Sequence, residues 1–442
     1  MQLESESIKN STPDKDKETF AAVAKEFLIL AGIYLFFRLP FLFIVPMSEA
    51  PDEFAHFWVI KFLKENLSLP SAAQVQAGGE SAVYGSLPQL GYIPHVVCGF
   101  LGGSEQLAMT ERLGSLLMGL LMLWAAYSAA KLLFRENKLA RLAVPAAIAS
   151  HPQLAFIHAY ANNDSTSSAL ASILLFLALQ SLSSGLLFRR TVLIGILVGW
   201  LALSKYSGLA IIPVLALALI SSIFIHGSSI GSAVFSFLLA ALVAISLSGW
   251  WFIQNAQQYP GDFMGTKTMY LSWAKTFHRD IHYYLPASHI IKDHRWWRMS
   301  FFSYWGLFGY MNKYLWKFIY FIYLGLVLSA VAGWIRGLFR AKSYAHRKTE
   351  ILMWSCLGLT VLINISSMIW ASVYNLGGPQ GRYLITSEIP IMALLIGGFS
   401  LFGKSIGRIL TLSLLSLNTA VTIGTWIYLF LAYGGLHSSP LP

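Results

Sequence analysis

Acidic and basic side chains that could act together in catalysis stand at isolated places in an otherwise apolar sequence. Asp52, Glu53 and His56 fall within five positions, directly after the first long apolar stretch. Residues three or four apart share one face of a helix, so these side chains can reach one patch. A carboxylate there could take a proton from a hydroxyl group, or share a divalent cation, Mg²⁺ or Mn²⁺, with the imidazole. The plainer alternative is that acids favour the positive end of a helix.

Asp164 is a second candidate carboxylate, within Asn162-Asn163-Asp164-Ser165 between the third and fourth apolar stretches. Capping of the following helix is one interpretation of this segment. The other is a functional role, because a carboxylate at the edge of a bilayer is costly unless something uses it. Glu388, a few residues into a later apolar stretch, invites the same argument, or it could neutralise a neighbouring Arg.

Two single cations complete the set. Lys205 precedes Tyr206 between two apolar runs, and Arg382 lies in Gln380-Gly381-Arg382-Tyr383. Arg can hold phosphate with a bidentate fork and Lys as a point charge, whereas snorkelling toward lipid headgroups is the alternative for both. The glycines beside Arg382 let the backbone approach a ligand closely. Two acids and two bases at one membrane face would suit an anionic, lipid-borne substrate.

The composition indicates the elements that must position these groups. Of the 442 residues, 56% are hydrophobic and only 12% are charged, against about 25% in a soluble domain. The net charge of +11 is scattered among the apolar stretches, which favours membrane topology and lipid headgroups over nucleic acid. Two cysteines, far apart, exclude a disulfide framework or a Cys-based zinc site. The sequence therefore predicts an all-α polytopic membrane protein.

A transmembrane helix needs roughly 20 predominantly apolar residues, and about eleven stretches qualify, the fifth being short. They are 27–45, 112–134, 142–161, 167–185, 192–204, 208–225, 234–253, 314–334, 351–373, 384–402 and 409–433. We expect a disordered cytosolic tail over 1–26, one membrane domain over 27–433 and a short outer tail over 434–442. Within the domain, 46–111 and 254–313 would form outer loops.

Basic residues in short loops predict the orientation, because cytoplasmic loops carry an excess of Lys and Arg. If the N-terminal tail is cytosolic, the basic loops all fall on its side of the membrane. These residues are Lys131, Arg135, Lys138, Arg141, Arg189, Arg190, Arg336, Arg340, Lys342, Arg347, Lys348, Lys404 and Arg408. The candidate site residues then fall on the outer side.

Two features of the outer segments concern the substrate and the membrane. Pro51 is suited to open a helix, and the residues after it alternate apolar and polar at helical spacing, with Phe54 on one face and Glu53 and His56 on the other, which predicts a helix that lies along the interface. The aromatics of the long loop, including Trp305, are expected to anchor at the interface, and some could stack on a sugar ring.

The motifs occur in a fixed order that resembles a known superfamily. They are Pro-Asp-Glu-x-x-His after the first span, Asn-Asp-Ser, Lys-Tyr-Ser-Gly, Trp-Trp-Phe-Ile-x-Asn, Trp-Gly-x-Phe-Gly and Gln-Gly-Arg-Tyr. Over about residues 27–400 the chain resembles the GT-C superfamily of integral membrane glycosyltransferases. It is most similar to a bacterial branch known as a domain of unknown function.

The resemblance implies transfer of a sugar from a polyprenyl-phosphate or polyprenyl-diphosphate carrier to a glycan or lipid acceptor outside the cytoplasm, at a bacterial inner membrane. It implies Asp52 as base or metal ligand, with Glu53 and Asp164 assisting at the metal or acceptor, and carrier phosphate held by Lys205 and Arg382. The neighbouring candidates are Tyr383 and Gln380 for phosphate, Asn163, His56, Trp305 and Tyr206 for acceptor or sugar, and Asp52, Asp164 and His56 for metal.

A transporter or flippase for a lipid-linked saccharide or another anion is the competing hypothesis. It would also need cations and intramembrane carboxylates, but it predicts polar residues at mid-membrane depth and on both faces. A structural partner in envelope synthesis is a third. The enzyme hypothesis requires Asp52, Asp164 and Arg382 to surround one outward-facing site.

Overall fold

The computed structural model describes residues 20–102, 107–227, 229–276, 285–340, 348–374 and 378–436. These residues are helical throughout, apart from loops and one short hairpin in which β1 (Leu307–Phe308) pairs antiparallel with β2 (Lys313–Tyr314). The predicted all-α membrane fold is confirmed. Residues 1–19 of the predicted tail lie outside the described residues, and the helix already begins at Phe20. Residues 437–442 of the outer tail also lie outside them.

Eighteen α-helices occur in the described residues, and two 3₁₀ turns, Tyr206–Ile211 and Gly381–Ser387, lead into α10 and α17. The helices are α1 (Phe20–Ile44), α2 (Glu53–Asn66), α3 (Ala72–Gly78), α4 (Ile93–Gly99), α5 (Leu107–Leu133), α6 (Lys138–Ser150), α7 (Pro152–Ile157), α8 (Asn163–Ser184), α9 (Phe188–Ala202), α10 (Ile212–His226), α11 (Ile230–Gln258), α12 (Thr266–Thr276), α13 (Ala287–Lys292), α14 (His294–Trp305), α15 (Lys317–Arg340), α16 (Lys348–Val373), α17 (Glu388–Ser400) and α18 (Lys404–Tyr433).

Nine helices of the described residues are long and apolar enough to cross a membrane. They are α1, α5, α8, α10, α11, α15, α16, α17 and α18, with α10 and α17 extended by their 3₁₀ turns. The other two of the eleven predicted spans correspond to shorter helices. The stretch 192–204 lies in and just beyond the 15-residue α9, which is about 22 Å long and shorter than the bilayer core of about 30 Å.

The predicted span 142–161 is broken into α6 and α7, because His151 has extended backbone before Pro152. A residue that precedes proline is disfavoured in the helical region, and proline itself opens the next helix at its first position. Both helices lie in the buried core, packed by α1, α5, α17 and α18. Together α6 and α7 still lead from Lys138 to the segment before α8, so the stretch crosses the bundle as a broken helix that is buried among other helices.

The helix after the first span also differs from the prediction. It begins at Glu53, with Asp52 at the N-cap position and Pro51 in the preceding turn. Its buried face carries Glu53 and His56, whereas Phe54 is 53% exposed. The face that carries Glu53 and His56 is thus packed against the protein, where partners from other elements satisfy both side chains.

Contacts between loops distinguish two ends of the helix bundle. At the basic end, the Lys138 ammonium lies 2.9 Å from Glu26 near the start of α1, and Arg135 donates to Ser183 at the end of α8. At the opposite end of α8, Asp164 pairs with Lys205. We call this second end, where Asp52 and Arg382 also meet, the site end. The predicted grouping of the basic loops is thus reproduced for those described, while 341–347 lie outside them.

Candidate active site

Asp52 lies at the corner between α1 and α2, and its carboxylate forms an ion pair with a residue that is distant in the sequence. Its backbone is left-handed, with φ 61°, a conformation that Asp tolerates better than most residues. The side chain makes no capping hydrogen bond, although Asp52 stands at the N-cap of α2, the positive end of that helix. Instead, Oδ2 accepts a hydrogen bond of 2.6 Å from Nη2 of Arg382.

Arg382 is positioned by packing of the 3₁₀ turn Gly381–Ser387 against α14. A Cβ on Gly381 would lie 2.2 Å from the Tyr304 backbone nitrogen, so only glycine fits at this crossing. The Gly381 N–H donates to Ser303 Oγ at 2.7 Å. The glycine therefore permits a close approach to α14, whereas the sequence had indicated approach to a ligand. The cation that follows it is fixed in place.

Asp164 and Lys205 form the second pair. The cap of α8 is Asn162, whose side chain accepts from the Ser165 N–H, so Asp164 is left for another partner. Lys205 lies in extended backbone between α9 and the turn that begins at Tyr206, and its Nζ donates to Asp164 Oδ1 at 2.6 Å. The two side chains therefore form an ion pair with each other. Asp164 does not cap α8, and Lys205 points to Asp164 and not to lipid headgroups.

The two pairs belong to one electrostatic cluster that is partly open to the surface. Asp52 interacts with Arg382 and Lys205, and Asp164 interacts with the same two cations. Burial raises the pKa of Asp52, but the surrounding positive charges, with Arg382 contributing most, together hold that pKa below its usual range. The side chains of Asp52 and Lys205 remain 29% and 24% exposed. A ligand can therefore reach both pairs.

His56 lies beside this cluster as a neutral, buried ring. Its Nδ1 is 2.6 Å from the Tyr92 hydroxyl, and its ring stacks on Tyr84 at 4.7 Å between centroids. Burial, with a smaller contribution from Lys205, lowers the pKa of His56 to about 3 against the opposing attraction of Asp52. The residue supports the wall of the site and carries no charge at neutral pH.

The structure corrects the predicted metal set. In the described ranges no three His, Cys, Asp or Glu side chains are placed to hold one ion, so Asp52, Asp164 and His56 do not form a three-ligand site. The reason is electrostatic, since each carboxylate is already neutralised by its own cation, Arg382 or Lys205. These residues do not fit a bound Mg²⁺ or Mn²⁺.

Glu53 belongs to a buried ion pair and not to the open cluster, which corrects its predicted catalytic assignment. Its two carboxylate oxygens accept from Nε and Nη2 of Arg112 at 2.7 and 2.6 Å, and the Ala161 N–H donates to one of them at 2.8 Å. Arg112 also donates to the carbonyls of Leu42 and Val45. With the carboxylate fully buried, Glu53 ties α1, α2, α5 and the segment before α8 together.

Trp305 is misassigned as a sugar-binding residue, whereas the half-buried Tyr206 makes contacts within the protein. Trp305 is 1% exposed and stacks on Tyr323 at 4.0 Å, inside the core where no sugar reaches it. The Tyr206 hydroxyl donates to the Met264 carbonyl at 2.8 Å, and its ring stacks on Phe252. Tyr206 thus holds the loop after α11 against the turn that follows Lys205.

The remaining predicted residues lie next to the cluster. Asn163 is buried and donates to the Ser204 carbonyl, while its Oδ1 has no hydrogen-bond partner among the described residues. Gln380 precedes the turn that carries Arg382, and the Arg382 guanidinium lies 5.7 Å from the Tyr383 ring centroid. The unpartnered Asn163 oxygen is thus buried beside the cluster.

Several residues of the site escaped the sequence analysis. Tyr84 and Tyr92 form the wall behind His56, and Tyr160 lies near Arg382 and both carboxylates. Burial raises the pKa of Tyr84 and Tyr92 well above the usual range, with nearby carboxylates adding to it. Tyrosines are frequent in this chain, so no local feature of the sequence identified these three as residues of the site. Arg112 was more accessible to inference, because an Arg at the edge of a span needs a partner.

A second buried polar group lies inside the membrane-spanning segments, next to the turn that carries Arg382. Glu388 accepts from the Tyr304 hydroxyl at 2.8 Å, and its other oxygen lies 2.8 Å from His151 Nδ1. Arg38 is fully buried nearby, with its guanidinium 3.8 Å from the Tyr34 ring centroid and bonded to carbonyls at the end of α6. Glu388 thus pairs with His and Tyr rather than with the neighbouring Arg.

Comparison with known proteins gives structural neighbours only. No family model matches the sequence, and no curated protein matches it. Among the solved structures that resemble the fold are two of ArnT from Cupriavidus metallidurans. The form bound to undecaprenyl phosphate has 13% sequence identity and a TM-score of 0.44, covering 92% of this chain and 79% of that one. The apo form has 14% identity and a TM-score of 0.43, covering 91% and 78%.

Proposed function

We propose that this protein is a membrane glycosyltransferase. It would move a sugar from a polyprenyl-phosphate or polyprenyl-diphosphate carrier to a glycan or lipid acceptor outside the cytoplasm, in a bacterial inner membrane with the N-terminus cytosolic. The observation that supports this function is the meeting of Asp52–Arg382 and Asp164–Lys205 at one end of the bundle. Such a transfer needs a base for the acceptor hydroxyl and cations for the departing phosphate, and the cluster supplies both.

In the proposed inverting reaction, the acceptor oxygen attacks the anomeric carbon as the bond from that carbon to the phosphate oxygen breaks. The electron pair leaves on the phosphate, and the hydroxyl proton passes to Asp52. Arg382 and Lys205 stabilise the charge that builds on the phosphate. Asp164 holds Lys205 in position.

Donor binding would also activate the base. Arg382 donates to Asp52 through Nη2, while its Nε has no hydrogen-bond partner within the described residues. A phosphate bound to this guanidinium would neutralise part of its positive charge and so weaken its effect on Asp52. The pKa of Asp52 would then rise from its lowered value. The carboxylate then becomes a stronger base when the donor is in place.

The test is incubation of purified protein with a panel of radiolabelled polyprenyl-linked sugars and candidate acceptors. We expect acceptor-dependent loss of one donor, with the label recovered in the acceptor. Two results would contradict transferase activity. One is release of the label from the donor when no acceptor is present, and the other is intact donor throughout the panel although the protein binds it.

Transport of a lipid-linked saccharide remains a second candidate, since Arg38 and Glu388 are ionisable groups buried within spans. A transporter would use such groups along its pathway. Proteoliposomes separate the two functions, because a flippase moves intact donor between leaflets and a transferase consumes it. Movement of uncleaved donor that depends on Glu388 would favour transport.

A further inference from the structure

A cavity of about 730 Å³ lies at the basic end of the bundle, away from the Asp52 cluster. The turn between α5 and α6 and the turn between α17 and α18 enclose it. Its charged lining residues are Glu136, Lys138, Lys404 and Arg408. None of these residues belongs to the candidate active site, so the cavity calls for a separate explanation.

The charges favour an anion in this cavity. Lys138 is paired with Glu26 at 2.9 Å, but Lys404 and Arg408 make no ion pair within the described part of the chain. They stand four residues apart and therefore share one face of α18. The first turn of that helix has no side-chain cap, so its backbone N–H groups add positive potential at the same place.

The cavity also has an apolar part, which a simple phosphate ion would leave unused. Leu139, Ala140 and Leu412 line it together with the polar residues. From Lys404 to Leu412 is eight residues, or about 12 Å along the helix. Leu412 is 42% exposed and Ile409 beside it 62%, as expected of side chains that face lipid. A charged mouth above an apolar surface matches a molecule with an anionic head and a hydrocarbon chain.

We propose that this cavity binds the phosphodiester headgroup of an anionic phospholipid, with Lys404 and Arg408 on the phosphate and an acyl chain along Leu412. Anionic lipids attract basic residues near a membrane surface by an amount equivalent to about fivefold in affinity for each Lys or Arg. Neutralising both cations should therefore weaken binding about 30-fold. This proposal concerns the basic end and does not depend on the proposed transferase activity.

The experiment is a titration of delipidated, purified protein with phosphatidylglycerol or phosphatidylcholine, followed by native mass spectrometry. We expect the wild type to prefer phosphatidylglycerol and the double variant K404Q/R408Q to lose that preference by about 30-fold. The matched control, R189Q/K348Q, removes two exposed charges that do not line the cavity, and it should bind as the wild type does. Each single variant, Lys404→Gln or Arg408→Gln, should bind phosphatidylglycerol about fivefold more weakly than the wild type does. The single variants therefore test the proposal if the double variant does not fold.

Two results would overturn the proposal. Equal retention of phosphatidylglycerol by K404Q/R408Q and by the control would show that the cavity does not hold the headgroup. Displacement of phosphatidylglycerol by an equal concentration of inorganic phosphate would show a site for free phosphate, with no part for the acyl chain.

Discussion

Arg382 and Asp52 lie 330 positions apart in the chain, and their side chains meet at 2.6 Å between Nη2 and Oδ2. The pair joins the corner after α1 to the turn before α17 at the site end of the bundle. Because Arg382 lowers the pKa of Asp52, neither residue can be changed without altering the chemistry of the other.

Asp52→Asn is expected to reduce turnover by about 10²–10⁴-fold, the usual contribution of a general base. Asn tolerates the left-handed backbone at this position nearly as well as Asp, so the folded protein should be retained. The measurement is the rate of transfer from the labelled donor at saturation. Glu65→Gln on the same helix is the matched control, because Glu65 is 58% exposed and far from the pair, and it should be fully active. Wild-type turnover in the Asp52→Asn protein would remove Asp52 from the mechanism.

Arg382→Gln should act on both halves of the proposed mechanism. Loss of the charge-assisted hydrogen bond to phosphate should weaken donor binding by about 10–100-fold. It also removes the cation that lowers the pKa of Asp52, so that pKa should rise. As pH falls, the carboxylate would then be protonated sooner, and the acidic limb of the kcat/KM profile should move to higher pH. Arg382→Lys keeps the positive charge but loses the bidentate guanidinium. It should weaken donor binding while shifting the acidic limb less than Arg382→Gln does. An unchanged acidic limb in Arg382→Gln would contradict the coupling.

The membrane fold and the list of ionic residues could be predicted because apolar length and isolated charges are local properties of the sequence. Asp52, Asp164, Lys205 and Arg382 were expected to gather at one end, and their ion pairs do so. The partners themselves depend on helix packing. Glu53 is adjacent to Asp52, and in the sequence the two carboxylates look equivalent. They differ because Arg112 approaches the face of the helix that carries Glu53.

The same reason accounts for the error over Trp305 and for the break in the span 142–161. A tryptophan in a polar loop can face solvent or the core, and only the packing of α14 on α15 decides it. An apolar stretch with an internal proline can form one continuous helix or two, and α6 and α7 form two, separated before Pro152. Neither choice is encoded within the stretch itself.

Glu53→Gln should reduce stability rather than chemistry. The substitution leaves Arg112 buried with an uncompensated charge, which typically costs about 3–5 kcal/mol of the free energy of unfolding. Glu53→Leu combined with Arg112→Met removes both charges and should be less destabilised than Glu53→Gln. Unfolding in mixed micelles measures this, with Glu65→Gln expected to change it by less than about 1 kcal/mol. A fully stable Glu53→Gln protein with impaired turnover would return Glu53 to the active site.

Transfer activity is expected to survive chelation. Both carboxylates of the cluster are neutralised by protein cations, and no three-ligand metal group occurs in the part of the chain that the structure describes. Treatment with excess EDTA, followed by the donor-consumption assay, should leave the rate within about twofold of the untreated protein, since the proposed charge stabilisation comes from Arg382 and Lys205. Loss of activity on chelation and its recovery with Mg²⁺ or Mn²⁺ would show that a cation enters with the substrate.

Stability should fall as the pH is lowered below 6.5, because His56 and His95 are buried as neutral rings. Burial is the main reason that the pKa of each is lowered to about 3, from 6.5 in the unfolded chain. Between these values the unfolded state binds a proton that the folded state does not, so acid favours unfolding, by up to about 1.4 kcal/mol per pH unit for each histidine. Thermal unfolding in detergent at pH 7.5 and 5.0 should show this loss. His95→Gln should reduce the loss, whereas His289→Gln, at an exposed position, should leave it unchanged. The same acid sensitivity in His95→Gln as in the wild type would mean that His95 is protonated in the folded protein.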